Sequence, residues 1–183
     1  RELSADTGSS ASNKKNLVNR NGDRILSRFN TPNGYSRVQV KEESFGGYLR
    51  NLPLHPYNYK VHYYDGRVKQ NDVNEAVLKF DVGNADLQQC ADAVMRIRAE
   101  YFYQQKNYDS INFRLTNGFD VPFAKWIQGN KVKVNGNETS WVNGGVPGFG
   151  YDNFRRYMDF IFAYAGTLSL ERSLHSKSVD DIL

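Results

Sequence analysis

A chain of 183 residues, 39% hydrophobic and 24% charged, is long enough to bury a core as one globular domain. Its single cysteine excludes an internal disulfide and any multi-cysteine metal site, and no apolar run reaches the roughly 18–20 residues that cross a bilayer. The net charge of +4 is concentrated at the start: residues 1–44 carry eight Lys/Arg against five Asp/Glu, so the rest is nearly neutral and lacks the basic stripe of a nucleic-acid binder.

The chain opens at Arg1 and runs through Ser4, Gly8, Ser9, Ser10, Ala11 and Ser12, the composition of a linker left by a removed export signal or lipid-anchor segment. That reading puts the protein in the periplasm or on the outer cell surface, with a lipid tether to the membrane as one partner. Residues 1–30 are polar and without sustained periodicity, a flexible arm ahead of a single domain over 31–183. Asn33-Gly34 marks a turn, after which Val38 and Val40 alternate as in a short strand. Phe45, Tyr48, Leu49 and Leu52 recur at helical spacing, and Pro53 stops that helix. Tyr59–Tyr64 and Arg67–Lys69 flank Asp65-Gly66, a hairpin signal that calls for positive φ at both central residues. Ala76–Val82 reads as a further strand. Ile111, Phe113 and Leu115 alternate up to Asn117-Gly118, and Val132 and Val134 lead through Asn135-Gly136 to Trp141 and Val142 on the return strand. Strands separated by tight turns, with helices among them, predict an α+β fold with a mostly antiparallel sheet.

Two longer helices are signalled. The first takes Asp86 as its N-cap, with Gln89 at capping-box spacing. Leu87, Cys90, Ala91, Val94, Ile97 and Tyr101 form its apolar stripe, which leaves Asp92, Arg96 and Glu100 for the solvent side. The second starts near Asp152, carries Phe154, Tyr157, Met158, Ile161, Tyr164 and Ala165 at three-to-four spacing, and ends at Gly166. Leu168–Leu174 add a last turn.

Cys90 is the residue with most chemical content. In the first turn of a helix, unpaired N–H groups and the helix dipole favour a thiolate, which is the nucleophilic form. Its place on the apolar stripe argues equally for a buried, inert sulfur. A thiolate also needs a base, and only His55, His62 and His175 exist; His62, on the hairpin strand, is the best placed. No pair of them has metal-ligand spacing, and no cofactor motif is present. The glycine-rich Gly144–Gly150 lacks the Lys-Ser/Thr of a phosphate loop and reads as a mobile loop. Trp126, Trp141 and Tyr64, with Phe119, Phe123 and Phe149 nearby in sequence, either line a groove for a glycan or peptide or supply core area.

The runs SFGGYLRNLPL, YYDGRVK, FDVGNADLQQCADAVMRIRAEY, INFRLTNG with KWIQG, and FAYAGTLSLERSL resemble a bacterial family of exported proteins built on a domain of unknown function. A helix-start cysteine followed by a sheet histidine is in turn similar to NlpC-type and CHAP-type papain-like peptidases and amidases. Members of the family continue into a Gly-Asp strand and a Gly-Ser-Pro-Gly-His-Ala strand, whereas this chain ends at Asp180-Asp181-Ile182-Leu183. The resemblance therefore implies a papain-like core lacking its C-terminal strands, with Cys90 as a nucleophile deprived of its base. It further implies an ancestral amide hydrolase of cell-wall peptides that is inactive as this chain, and a sheet edge open to pairing with a second copy. The rival expectation is a non-catalytic envelope module that binds glycan or peptide through its aromatic residues.

Overall fold

The computed structural model describes residues 17–71 and 73–174, and these fall into two compact units that divide between Ala85 and Asp86. The sequence reading had one domain over 31–183. A flexible arm is expected as far as residue 30; within it, residues 17–30 contain an antiparallel bridge, Val18 to Phe29, and a helical turn, α1 (Ile25–Arg28).

The first unit is organised around a cation. Arg28 is 1% exposed, and its Nε and Nη2 donate to the carbonyl of Gly22 at 2.9 and 2.6 Å while Nη2 also donates to that of His55 at 3.0 Å. Carbonyl dipoles thus replace part of the water that the guanidinium gives up, while its Nη1 is buried with no hydrogen-bond partner among the described residues. Gly22 is required there, because a Cβ would run into the backbone of Ser27 and Arg28. Helix α2 (Phe45–Asn51) matches its prediction, with Ser44 accepting from the Gly47 N–H as N-cap. The Gly46-Gly47 pair that lowers its helix propensity has a packing reason. Gly47 is buried, and a Cβ on it would strike the carbonyl oxygens of Lys41 and Glu42.

Other elements of this unit are slighter than predicted. Val38 and Val40 lie in no strand and are 76% and 39% exposed. The hairpin at Asp65-Gly66 forms, with Tyr63 N–H to Arg67 O and Lys69 N–H to Val61 O both at 2.8 Å, but its ladder is the single bridge His62–Val68. Only Gly66 takes positive φ, at 84°, so the loop is the longer type closed by one left-handed glycine. The strand expected over Ala76–Val82 reduces to the bridge Leu54–Leu78 and two flanking hydrogen bonds, His55 N–H to Val77 O and Lys79 N–H to Pro53 O.

The second unit runs α3 (Cys90–Gln104), a 3-10 turn (Tyr108–Ser110), β1 (Asn112–Arg114), β2 (Asp120–Pro122), α4 (Phe123–Trp126), β3 (Asn130–Asn135), β4 (Glu138–Asn143), α5 (Tyr151–Tyr164) and α6 (Thr167–Ser173). Its strands form two separate antiparallel ribbons, β1–β2 with Phe113 opposite Val121 and β3–β4 with Val132 opposite Trp141. The fold is α+β, with small antiparallel sheets rather than one broad sheet. The second ribbon turns at Gly136-Asn137, one residue later than predicted, because Asn135 already pairs with Glu138.

Helix α5 buries Phe154, Tyr157, Met158 and Ile161, as its spacing predicts. They meet Met95 and Ala99 of α3 and the inward residues Phe113 and Val121 of the first ribbon. Tyr157 is fully buried and donates its hydroxyl to the Val121 carbonyl at 2.6 Å; burial holds its pKa well above the ordinary value. This core fixes one side of α3 and of α5.

Candidate functional site

Helix α3 begins at Cys90, four residues beyond the predicted cap at Asp86. Gln89 is the N-cap residue, and its N–H donates to the Asp92 carboxylate at 2.9 Å, so the reciprocal half of the cap comes from Asp92. Cys90 is exposed at the first helical position, so it is not the buried sulfur that a place on the apolar stripe implies.

The register of α3 is the main correction to the sequence reading. Its buried residues are Asp92, Met95, Arg96, Ala99 and Glu100, a clean three-to-four stripe, while Val94 of the supposed apolar stripe is 53% exposed. The charged residues lie inside because they satisfy one another. Arg96 Nε meets Glu100 Oε1 at 2.6 Å, with side chains 2% and 6% exposed. Tyr151 Oη donates to the same Oε1 at 2.8 Å and receives from Arg96 Nη2 at 3.1 Å, and Arg96 Nη1 reaches Gln88 Oε1 at 3.3 Å. Burial, then the bond to Glu100, raises the pKa of Tyr151. Asp92 is also inside; one of its oxygens is buried without a hydrogen-bond partner among the described residues, and burial raises its pKa despite two backbone bonds that lower it.

Tyr151 carries this network to the surface. Its ring, 47% exposed, lies edge-on to Tyr103 at 5.7 Å. Tyr103 stacks on buried Phe154 at 4.4 Å and donates its hydroxyl to the carbonyl of Phe149 at 2.7 Å. Phe149 is 63% exposed and stacks on Tyr108 at 5.8 Å. The loop that carries it is tied down, because Asn153 Nδ2 donates to the carbonyls of Val146 and Gly148 at 3.0 and 2.6 Å. Four aromatic rings thus form one face, its outer members held by hydrogen bonds rather than by burial.

Of the groove aromatics singled out from sequence, Phe149 is on this face, whereas Trp126, Trp141 and Tyr64 lie elsewhere. Trp126 and Trp141 rest half-buried against the core. The Trp126 indole donates to Asn153 Oδ1 at 3.0 Å, and Trp141 packs 6.1 Å from Phe119 with Lys125 Nζ 4.9 Å over its ring. Tyr64 belongs to the first unit, as does His62, whose ring lies 5.3 Å from Tyr59; Tyr59 stacks on His55 at 3.8 Å. His175 and the Asp180-Asp181 pair lie outside the described residues. The described residues of the second unit hold no histidine, and no metal-binding cluster of His, Cys, Asp or Glu occurs among all the described residues. Nor is any described helix long and apolar enough to cross a membrane.

Of this face the sequence points to Phe149 alone, because Tyr103, Tyr108 and Tyr151 come from three further segments, each with a local explanation of its own. The spacing of Arg96 and Glu100 was the available signal, since an i, i+4 ion pair on a helix need not face water. Neither curated proteins nor solved structures provide a match, so the likeness to NlpC-type and CHAP-type peptidases finds no support there. A family model described as a domain of unknown function (4846) matches residues 25–183.

Proposed function

The chain belongs to the domain of unknown function 4846 family, and we propose that it acts as an exported binding module that takes glycan on the face of Tyr103, Tyr108, Phe149 and Tyr151. The observation that carries this reading is Phe149, 63% exposed yet pinned through its own carbonyl and its stack on Tyr108. A rigid exposed ring loses little conformational entropy on binding, and its flat apolar surface suits the C–H face of a sugar. Tyrosine hydroxyls beside it suit the sugar's own hydroxyls. The test is an NMR titration of the full chain with soluble oligomers of N-acetylated amino sugars and, separately, with a cell-wall stem peptide. Saturable shifts of the Phe149 and Tyr108 rings by the glycan, abolished in Phe149→Ala, are expected. Shifts with the peptide alone would transfer the site to peptides, and silence with both ends the reading.

A second reading, thiol-dependent cleavage of an amide in a cell-envelope peptide, is favoured by the exposure of Cys90 at the first position of α3. In that scheme Cys90 is the nucleophile and the N–H groups of the opening helical turn receive the oxyanion. Its base must come from outside the described part of the second unit, which has no histidine. Alkylation of Cys90 by iodoacetamide at neutral pH is expected to run faster than that of an unstructured cysteine peptide. An equal or slower rate removes this reading.

A further inference from the structure

On the second unit, α3, the 3-10 turn, the first ribbon and α6 enclose a cleft of about 520 Å³. That volume is within the range that holds a small metabolite. Its charged lining is Arg98, Arg114 and Arg172 against the single carboxylate of Asp120. Two of the three arginines are occupied. Arg114 forms a two-pronged pair with Asp120, both contacts at 2.9 Å, and Arg172 Nη1 donates to the Thr116 carbonyl at 3.3 Å.

Arg98 is different. Its guanidinium lies 4.7 Å over the Phe102 ring, and among the described residues it has no hydrogen bond and no carboxylate partner. It is half-buried, and loss of water lowers its pKa, so the cation is held at some cost. Ser110 and Asn112, on the same wall, likewise have no side-chain hydrogen bond among the described residues. A guanidinium fork, a hydroxyl and an amide are thus all left with unused donors along one lining.

We infer that this cleft binds the phosphate monoester group of a small polar molecule, with Arg98 as its principal anchor. The excess of two positive charges in the lining matches the charge of a monoester near neutral pH. A guanidinium offers two parallel N–H groups to two phosphate oxygens. Ser110 and Asn112 have the donors for the remaining oxygen, and the volume left over accommodates the group that the phosphate esterifies.

The experiment is an NMR titration of the full chain that follows the arginine Nε–Hε signals, with glucose 6-phosphate and, separately, malonate as a dicarboxylate of similar charge. Glucose 6-phosphate is expected to bind saturably and to shift the Arg98 signal. Arg98→Met is expected to weaken it by about tenfold or more, and Arg98→Lys to restore only part, because an ammonium lacks the fork. Asp120→Asn acts in the opposite direction, tightening binding by releasing Arg114 toward the ligand. Circular dichroism of each variant confirms that it folds. Malonate binding as tightly as the phosphate ester overturns the assignment, as does an Arg98→Met variant that binds like the parent.

Discussion

Glu100 accepts from Arg96 and Tyr151 on one oxygen in a setting almost free of water. Replacing it by Gln keeps the shape and removes the carboxylate charge that faces the buried Arg96 cation. Breaking a buried ion pair in this way costs about 3–5 kcal/mol. Urea denaturation of Glu100→Gln is expected to show a loss of that order. Asp92 gives the opposite sign. Its folded-state pKa is raised by burial, so the folded protein prefers it protonated. Its contribution to stability is therefore full below the ordinary carboxyl pKa of 3.8 and is lost as pH rises through the higher folded value. Asp92→Asn, which cannot ionise and retains an oxygen for the Gln89 N–H, is expected to raise the neutral-pH melting temperature and flatten its decline from acid to neutral pH.

Among the elements, α2 depends most on one missing side chain. Gly47→Ala drives a methyl into the carbonyls of Lys41 and Glu42, and overpacking of this kind costs about 1–3 kcal/mol. A lower thermal midpoint for the first unit, with the second unit's transition unmoved, is the expected result. Helices α2 and α5 and the β3–β4 hairpin are legible in the sequence because apolar spacing and strand alternation hold there, although the hairpin turns one residue later than its Asn-Gly pair implies. Helix α3 was legible in existence but not in orientation. Spacing arguments send charge to water, whereas here Arg96 and Glu100 neutralise each other and turn inward, which rotates Val94 outward. Strand signals in the first unit yielded single bridges at His62–Val68 and Leu54–Leu78 and nothing at Val38 and Val40, since alternation says nothing about whether a partner segment runs alongside. Of the candidate site, the place of Cys90 in the opening turn was readable. Of the aromatic face only Phe149 was, because its long-range stacking on Tyr108 leaves no periodic trace.

At the scale of the molecule, the main buried cluster runs from Met95 to Phe162, whereas the buried hydrophobics described in the first unit are Leu52 and Leu54. The family match over 25–183 nonetheless includes both units, so both belong to what the family shares. A fragment of residues 86–183 is expected to fold alone, with a cooperative urea transition and dispersed methyl signals. A collapsed, non-cooperative fragment would show that its core needs the preceding residues. The placement of the two indoles makes such experiments simple. Trp126 and Trp141 both sit in the second unit, while Tyr35, Tyr48, Tyr57, Tyr59, Tyr63 and Tyr64 belong to the first, which has no tryptophan. Intrinsic emission excited at the red edge of the absorption band therefore reports the loosening of one half of the intact chain, and no dye or label has to be attached to observe it.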